Sequence, residues 1–217
     1  CLTLATTGDI MANTTFNGPV RSENGFETVS KNAATGVITI TSGNKMINEA
    51  VADAGIEGTA GVYVTQVERF KSDTTTNVNI VKTTILLDLT GLTKSATAGD
   101  IIGKDGDGVA YFARITTADQ GVIFGIQMTC LEVPSAGNGD IDIYSATEGT
   151  GVEDTAITAL TESQITNGGA LVAGSMVAGG AISADQYLYL VNAQGAGAGT
   201  YTGGRLLIEL TGYDVAT

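Results

Sequence analysis

No histidine and no tryptophan occur among the 217 residues, and there are only 2 prolines and 2 cysteines. Histidine is the side chain whose unperturbed pKa lies nearest neutrality, so the commonest acid–base catalyst and a principal metal ligand are both missing. No serine or cysteine has a histidine to activate it, and no lysine pair suggests Schiff-base chemistry. Carboxylates alone can hydrolyse glycosides, but such clefts carry aromatic platforms, and aromatic residues make up only 6% of this chain. The chain is therefore expected to be no enzyme and to need no cofactor. Positive charge is also scarce, with 10 Lys and Arg against 23 Asp and Glu, a net charge of −13. Nucleic acid and anionic lipid are held through Lys and Arg, so neither is an expected partner. An acidic surface serves solubility, and a partner with a basic patch is the sharper alternative. The sequence contains no run of about 18 apolar residues that would span a membrane.

Charged residues are few at 15%, whereas glycine is abundant at 30 and the hydrophobic fraction of 43% is ordinary. Cysteine usage says nothing about redox compartment. Cys130 sits in the run Val122 to Cys130 and alternates with Val122, Phe124, Ile126 and Met128, which predicts a buried thiol on that shared face. Cys1 belongs to a segment of different character. Gly8-Asp9-Ile10-Met11 back-translates into a ribosome-binding layout ahead of a start codon. Residues 1–10 are accordingly expected to be an untranslated or non-native leader, with an ordinary processed terminus as the alternative. They have neither a basic n-region nor a long apolar h-region.

Residues 11–45 offer one short strand, Val37 to Ile40, among turn formers such as Asn17-Gly18-Pro19 and Glu23-Asn24-Gly25. So little apolar content cannot bury itself, and an extended arm that orders against a neighbouring subunit is expected, with an exposed tail as the alternative. Met46, Ile47, Ala50, Val51 and Ala54 have helical spacing that stops at Gly55, and 46–82 is read as a small strand-helix lead-in. From there Val, Ile and Thr dominate, in strand candidates at 62–70, 77–89, 109–115, 121–133, 140–145, 170–173, 186–191 and 205–211. Gly and Asn clusters separate them. This cadence predicts a mainly β chain, an antiparallel sandwich or jelly-roll-like domain over 83–217. A helix over 155–165 is a weaker expectation. Ile85 to Leu92 echoes Leu206 to Tyr213 in chemical type, as adjacent opening and closing strands or as a duplicated half would. Gln194 to Thr200 has no lysine in phosphate-loop spacing and reads as a flexible hairpin tip.

Lys104-Asp105-Gly106-Asp107-Gly108 and Asn138-Gly139-Asp140-Ile141-Asp142 each set two carboxylates two residues apart. Asp105, Asp107, Asp140 and Asp142 are thus weak calcium candidates. Neither stretch continues as an EF-hand loop, and Asp-Gly is common turn chemistry.

The stretch Met11 to Glu27, with its run Phe16-Asn17-Gly18-Pro19-Val20-Arg21-Ser22, resembles the opening of structural proteins of tailed bacteriophages of marine bacteria. The resemblance is most specific over 11–40; beyond that it is one of composition and strand cadence. It implies a virion component made in the host cytoplasm, with head decoration on the outer capsid surface preferred. Its partners would be the major capsid protein and further copies of itself, as a homotrimer. Phe16, Arg21 and Phe26 would then be the arm's anchors on the capsid. A tail- or fibre-associated protein is the alternative, and a carbohydrate-binding adhesin module is the third class.

Overall fold

Alternation of branched apolar with polar residues is what a sheet buried on one face needs, and the longest strands follow it. The structure is a computed structural model that describes residues 28–31, 38–42, 62–71 and 78–215, apart from Asp107 and Ala196. Two units are distinguished by their contacts, 1–46 and 47–217. The first contains an antiparallel hairpin of β1 (Thr28–Lys31) and β2 (Ile38–Ser42). The arm anchors Phe16, Arg21 and Phe26, and the helix expected after Lys45, lie outside the described residues.

The second unit is mainly β and antiparallel. One sheet runs in the order β11 (Met176–Gly179), β8 (Val122–Ser135), β14 (Gly203–Val215), β4 (Val78–Asp88), β3 (Val62–Lys71). The strand β4 runs through residue 82, so this sheet draws on both sides of the boundary placed at 82/83 from the sequence. The other sheet orders β10 (Glu162–Gln164), β9 (Ile141–Ala146), β12 (Gln186–Asn192) and β6 (Ile101–Ile102). Strand β7 (Tyr111–Ile115) also pairs with β12, next to β6. A small ladder joins β5 (Thr93–Lys94) to β13 (Gly199–Thr200).

The two large sheets enclose one core. Ile85 and Leu87 of β4, Ile126, Met128 and Cys130 of β8, and Leu206, Ile208 and Leu210 of β14 meet Phe112, Ile143, Leu188 and Leu190 of the other sheet. That is the expected sandwich. A second cluster of Ile101, Ala110, Ala146, Ile157, Tyr189 and Val191 covers the far side of the smaller sheet, so that sheet is buried on both faces. The echoing strands do lie side by side, with Ile85 opposite Ile208, Leu86 opposite Leu207 and Leu87 opposite Leu206.

Several local expectations are corrected. The face predicted to run from Val122 through Cys130 is broken, because Gly212 pairs with Ile123 while Thr211 pairs with Gly125, leaving Phe124 as an extra residue. This bulge turns Val122 and Phe124 outward and Ile123 inward, while Ile126, Met128 and Cys130 stay buried. In place of a helix over 155–165 there is one 3-10 turn at Ile157–Ala159, followed by β10, which bonds to the edge of β9. Burial of Ile157 and the free edge of β9 override a weak helical pattern. Residues 170–173 form only an isolated bridge, Asp140 with Ala170, and the strand comes later as β11. The glycine-rich tip is tied down by β13 on β5. A Cβ at Gly195 would come within 3.1 Å of the Ala96 carbonyl oxygen.

Candidate functional site

The outer face of the β11-β8-β14-β4-β3 sheet carries side chains that a solvated face does not need. Val122, Phe124, Tyr213 and Met176 are all exposed there, Phe124 at 52% and Met176 at 66%. Tyr213 stands opposite Val122 in the ladder, and its ring lies 6.4 Å from that of Phe124. The bulge is what delivers Phe124 to this surface. Beside the apolar end runs a polar row in which Lys82 pairs with Glu209, and Gln127 Nε2 reaches Glu209 at 3.5 Å and Met176 Sδ at 3.4 Å. At the opposite end Arg205 lies 3.2 Å from Glu132 and 3.6 Å from Asp88. Burial works to raise the Asp88 carboxyl, but hydrogen bonds from Thr90 and the nearby Arg205 outweigh it and hold the group low.

A second feature is an open cleft of about 240 Å³ lined by Thr93, Lys94, Asp105, Glu153, Asp154 and Thr200 among others. Thr93 Oγ1 donates to Glu153 Oε1 at 2.8 Å. Burial pushes Glu153 above the ordinary carboxylate range despite that bond, and the neighbouring charges of Asp154, Asp105 and Asp100 push the same way. Lys94, only 3% exposed, is moved downward by desolvation. A shifted acid beside a shifted base in a cleft is a common mark of function. Burial in a packed structural turn shifts an acid up and a lysine down in the same way, and Asp154 has the positive φ of 58° of a tight turn.

The calcium candidates separate. Asp105 lines the cleft, and Asp107 lies outside the described residues. The Asp140 N–H donates to Asn138 Oδ1, closing an Asx turn. Asp142 is 3% exposed and accepts from Gln164 Nε2 at 2.7 Å and from the Gly168 N–H at 3.3 Å. Among the described residues no group of three or more His, Cys, Asp and Glu converges as a metal set. Asp142 is thus engaged in fastening β10 and the following loop to β9. A tyrosine cluster backs the smaller sheet, with the Tyr111 and Tyr187 rings 4.8 Å apart and the Arg114 guanidinium 5.5 Å from the centre of Tyr187.

No family model, curated protein or solved structure matches this chain. Of these surfaces, the sequence reading named only Asp105. Phe124 and Tyr213 carried one signal each. Tyr213 occupies an outward position of the echoed strand, and Phe124 precedes a glycine within a strand, a common place for a bulge. Glu153 and Lys94 are 59 residues apart in the sequence and gave no local sign.

Proposed function

We propose that the chain is a non-enzymatic structural component of a tailed-phage particle, a head-decoration protein on the outer capsid surface that assembles as a homotrimer. The observation that carries this reading is the Phe16-Asn17-Gly18-Pro19-Val20-Arg21-Ser22 run ahead of a Gly- and Thr-rich β body. A sandwich with an exposed Phe124–Tyr213 ring pair on one sheet face supports it, because such a face suits a protein that works by contact. Decoration stabilises a shell by adding interface across its symmetry junctions. An extended arm adds more, since ordering a strand on a neighbour supplies backbone hydrogen bonds.

Densitometry of purified particles tests the reading. Hundreds of copies per particle are expected for head decoration, and tens or fewer would indicate a tail or fibre protein instead. The arm is tested by deleting residues 12–36, which should leave a folded β domain that no longer binds capsids. Full occupancy by the truncated chain would overturn the arm's role. The adhesin alternative predicts a hit on a glycan array or a melting shift with calcium.

A further inference from the structure

We propose that Asn167-Gly168 is a site of self-modification, at which the Gly168 amide closes on the Asn167 side chain with Asp142 as general base. The asparagine becomes aspartate or isoaspartate. The proposal stands apart from the function proposed above. The sequence has four Asn-Gly steps, and two of them, Asn138-Gly139 and Asn167-Gly168, lie among the described residues. Such a step is open to this chemistry because glycine, without a Cβ, leaves its own amide nitrogen unshielded and its backbone free to bend.

The two steps are held differently. Asn138 is tied at both ends of its side-chain amide. Its Nδ2 donates to the Gln194 carbonyl at 2.9 Å and to Gln194 Oε1 at 3.2 Å, and its Oδ1 accepts the Asp140 N–H at 3.0 Å. Those bonds must break before its amide carbon can be attacked. Asn167 is exposed, and among the described residues nothing bonds its side chain. The backbone on either side is nevertheless fixed. The Ile165 and Thr166 N–H groups both donate to the Ile143 carbonyl, at 2.8 and 3.1 Å, and a Cβ on Gly168 would collide with Val177. The Gly168 N–H donates to Asp142 Oδ1 at 3.3 Å, while Gln164 Nε2 holds Oδ2 of the same carboxylate at 2.7 Å. A base that already accepts the proton it must remove, and is held in place by a second bond, is oriented for general-base catalysis. Burial raises the Asp142 carboxyl, which makes it a stronger base than an exposed aspartate.

In the reaction Asp142 takes the Gly168 amide proton as that nitrogen bonds to Asn167 Cγ. The Cγ–Nδ2 bond then breaks, and Nδ2 takes the proton from Asp142 and leaves as ammonia. Water opens the five-membered imide at either carbonyl, giving aspartate or isoaspartate. One water is consumed, one ammonia is released and Asp142 is regenerated. A new negative charge then stands beside the bond that fastens this loop to β9.

Peptide mapping by mass spectrometry, on the wild-type chain and Asp142→Asn incubated at neutral pH both folded and in urea, tests the assignment. In the wild type, Asn167 should be converted faster in the folded chain than in urea, and Asn138 more slowly. Asp142→Asn should slow conversion of Asn167 in the folded chain at least about tenfold, as loss of a general base does, and leave Asn138 unchanged. A wild type that converts Asn167 no faster when folded than in urea would overturn the proposal, whether or not the variant folds. So would an Asp142→Asn chain that melts cooperatively and keeps the wild-type rate at Asn167.

Discussion

Asp142 sits deep in the smaller sheet with two donors on its carboxylate, and burial still lifts it above the ordinary carboxylate range, helped by the charge of Asp140. A carboxyl with a raised folded pKa binds its proton more tightly in the native state than in the unfolded chain. Stability from this group therefore grows as pH falls from neutral through its raised value toward 3.8, the ordinary value. Glu153 acts in the same sense, above its own ordinary value of 4.5. Asp88 is held low and works in the opposite direction, losing its contribution as pH falls through its folded value. Asp142→Asn removes one titration. Urea midpoints measured from pH 7 down to pH 4 should show the wild type gaining on the variant as the solution is acidified, and a difference independent of pH would refute this assignment. Cys130 gives a simpler expectation. Burial raises its thiol and leaves it 0% exposed, so a thiol reagent should leave Cys130 unlabelled in the native protein and modify it once urea unfolds the chain. Magnitudes rank the remaining side chains. Ile208→Ala, in the centre of the core, should cost about 2–5 kcal/mol. Arg114→Ala removes an exposed pair with Asp185 and should cost about 1 kcal/mol or less. Chemical denaturation of both variants measures the gap.

Among the elements, β8 explains both the successes and the failures of sequence reasoning. Its residues Ile126, Met128 and Cys130 alternate inward as their spacing predicts. The extra residue at Phe124 breaks that rhythm, and nothing in a string of apolar residues reveals which side of a bulge faces the core. The echoed strands were legible for the opposite reason. Ile85 to Leu89 and Leu206 to Leu210 each alternate without interruption, and two such strands in one domain bury the same face most cheaply side by side. The turn at Ile157 and the strand β10 were hidden because they depend on partners distant in sequence: a pocket beneath Tyr189 for Ile157 and an open edge on β9. The bulge itself makes a prediction. Deleting Phe124 restores a regular ladder and leaves Ile123 and Ile126 facing inward, so the variant should still melt cooperatively. Deleting Thr84 from β4, whose ladder with β14 carries no bulge to absorb it, shifts the register on one side and exchanges core and solvent faces. Circular dichroism melts of the two deletions should separate them, and cooperative melting of both would contradict the register described. Gly137 adds a steric case. A Cβ there would collide with the Tyr201 ring, whose hydroxyl donates to the Asn138 carbonyl, so Gly137→Ala should cost about 1–3 kcal/mol in a denaturation curve.

At the scale of the whole molecule, the described residues hold the acidic cleft and the exposed aromatic pair in different places. The acidic cleft lies by the β5–β13 ladder, while the exposed aromatic pair and the ion pairs of Lys82 and Arg205 lie on the outer face of the larger sheet. The architecture also fixes an order of events. Strand β14 lies between β4 and β8, so the middle of the larger sheet is supplied by residues made after both of its neighbours. While a ribosome is still making that segment, β4 and β8 have no common neighbour, and the apolar face each will bury stays uncovered. A chain cut before residue 203 leaves that gap open, whereas β14 closes both seams with a single strand. Placing this strand at the centre makes closure of the sandwich wait on residues 203–215, which are made after every strand they join.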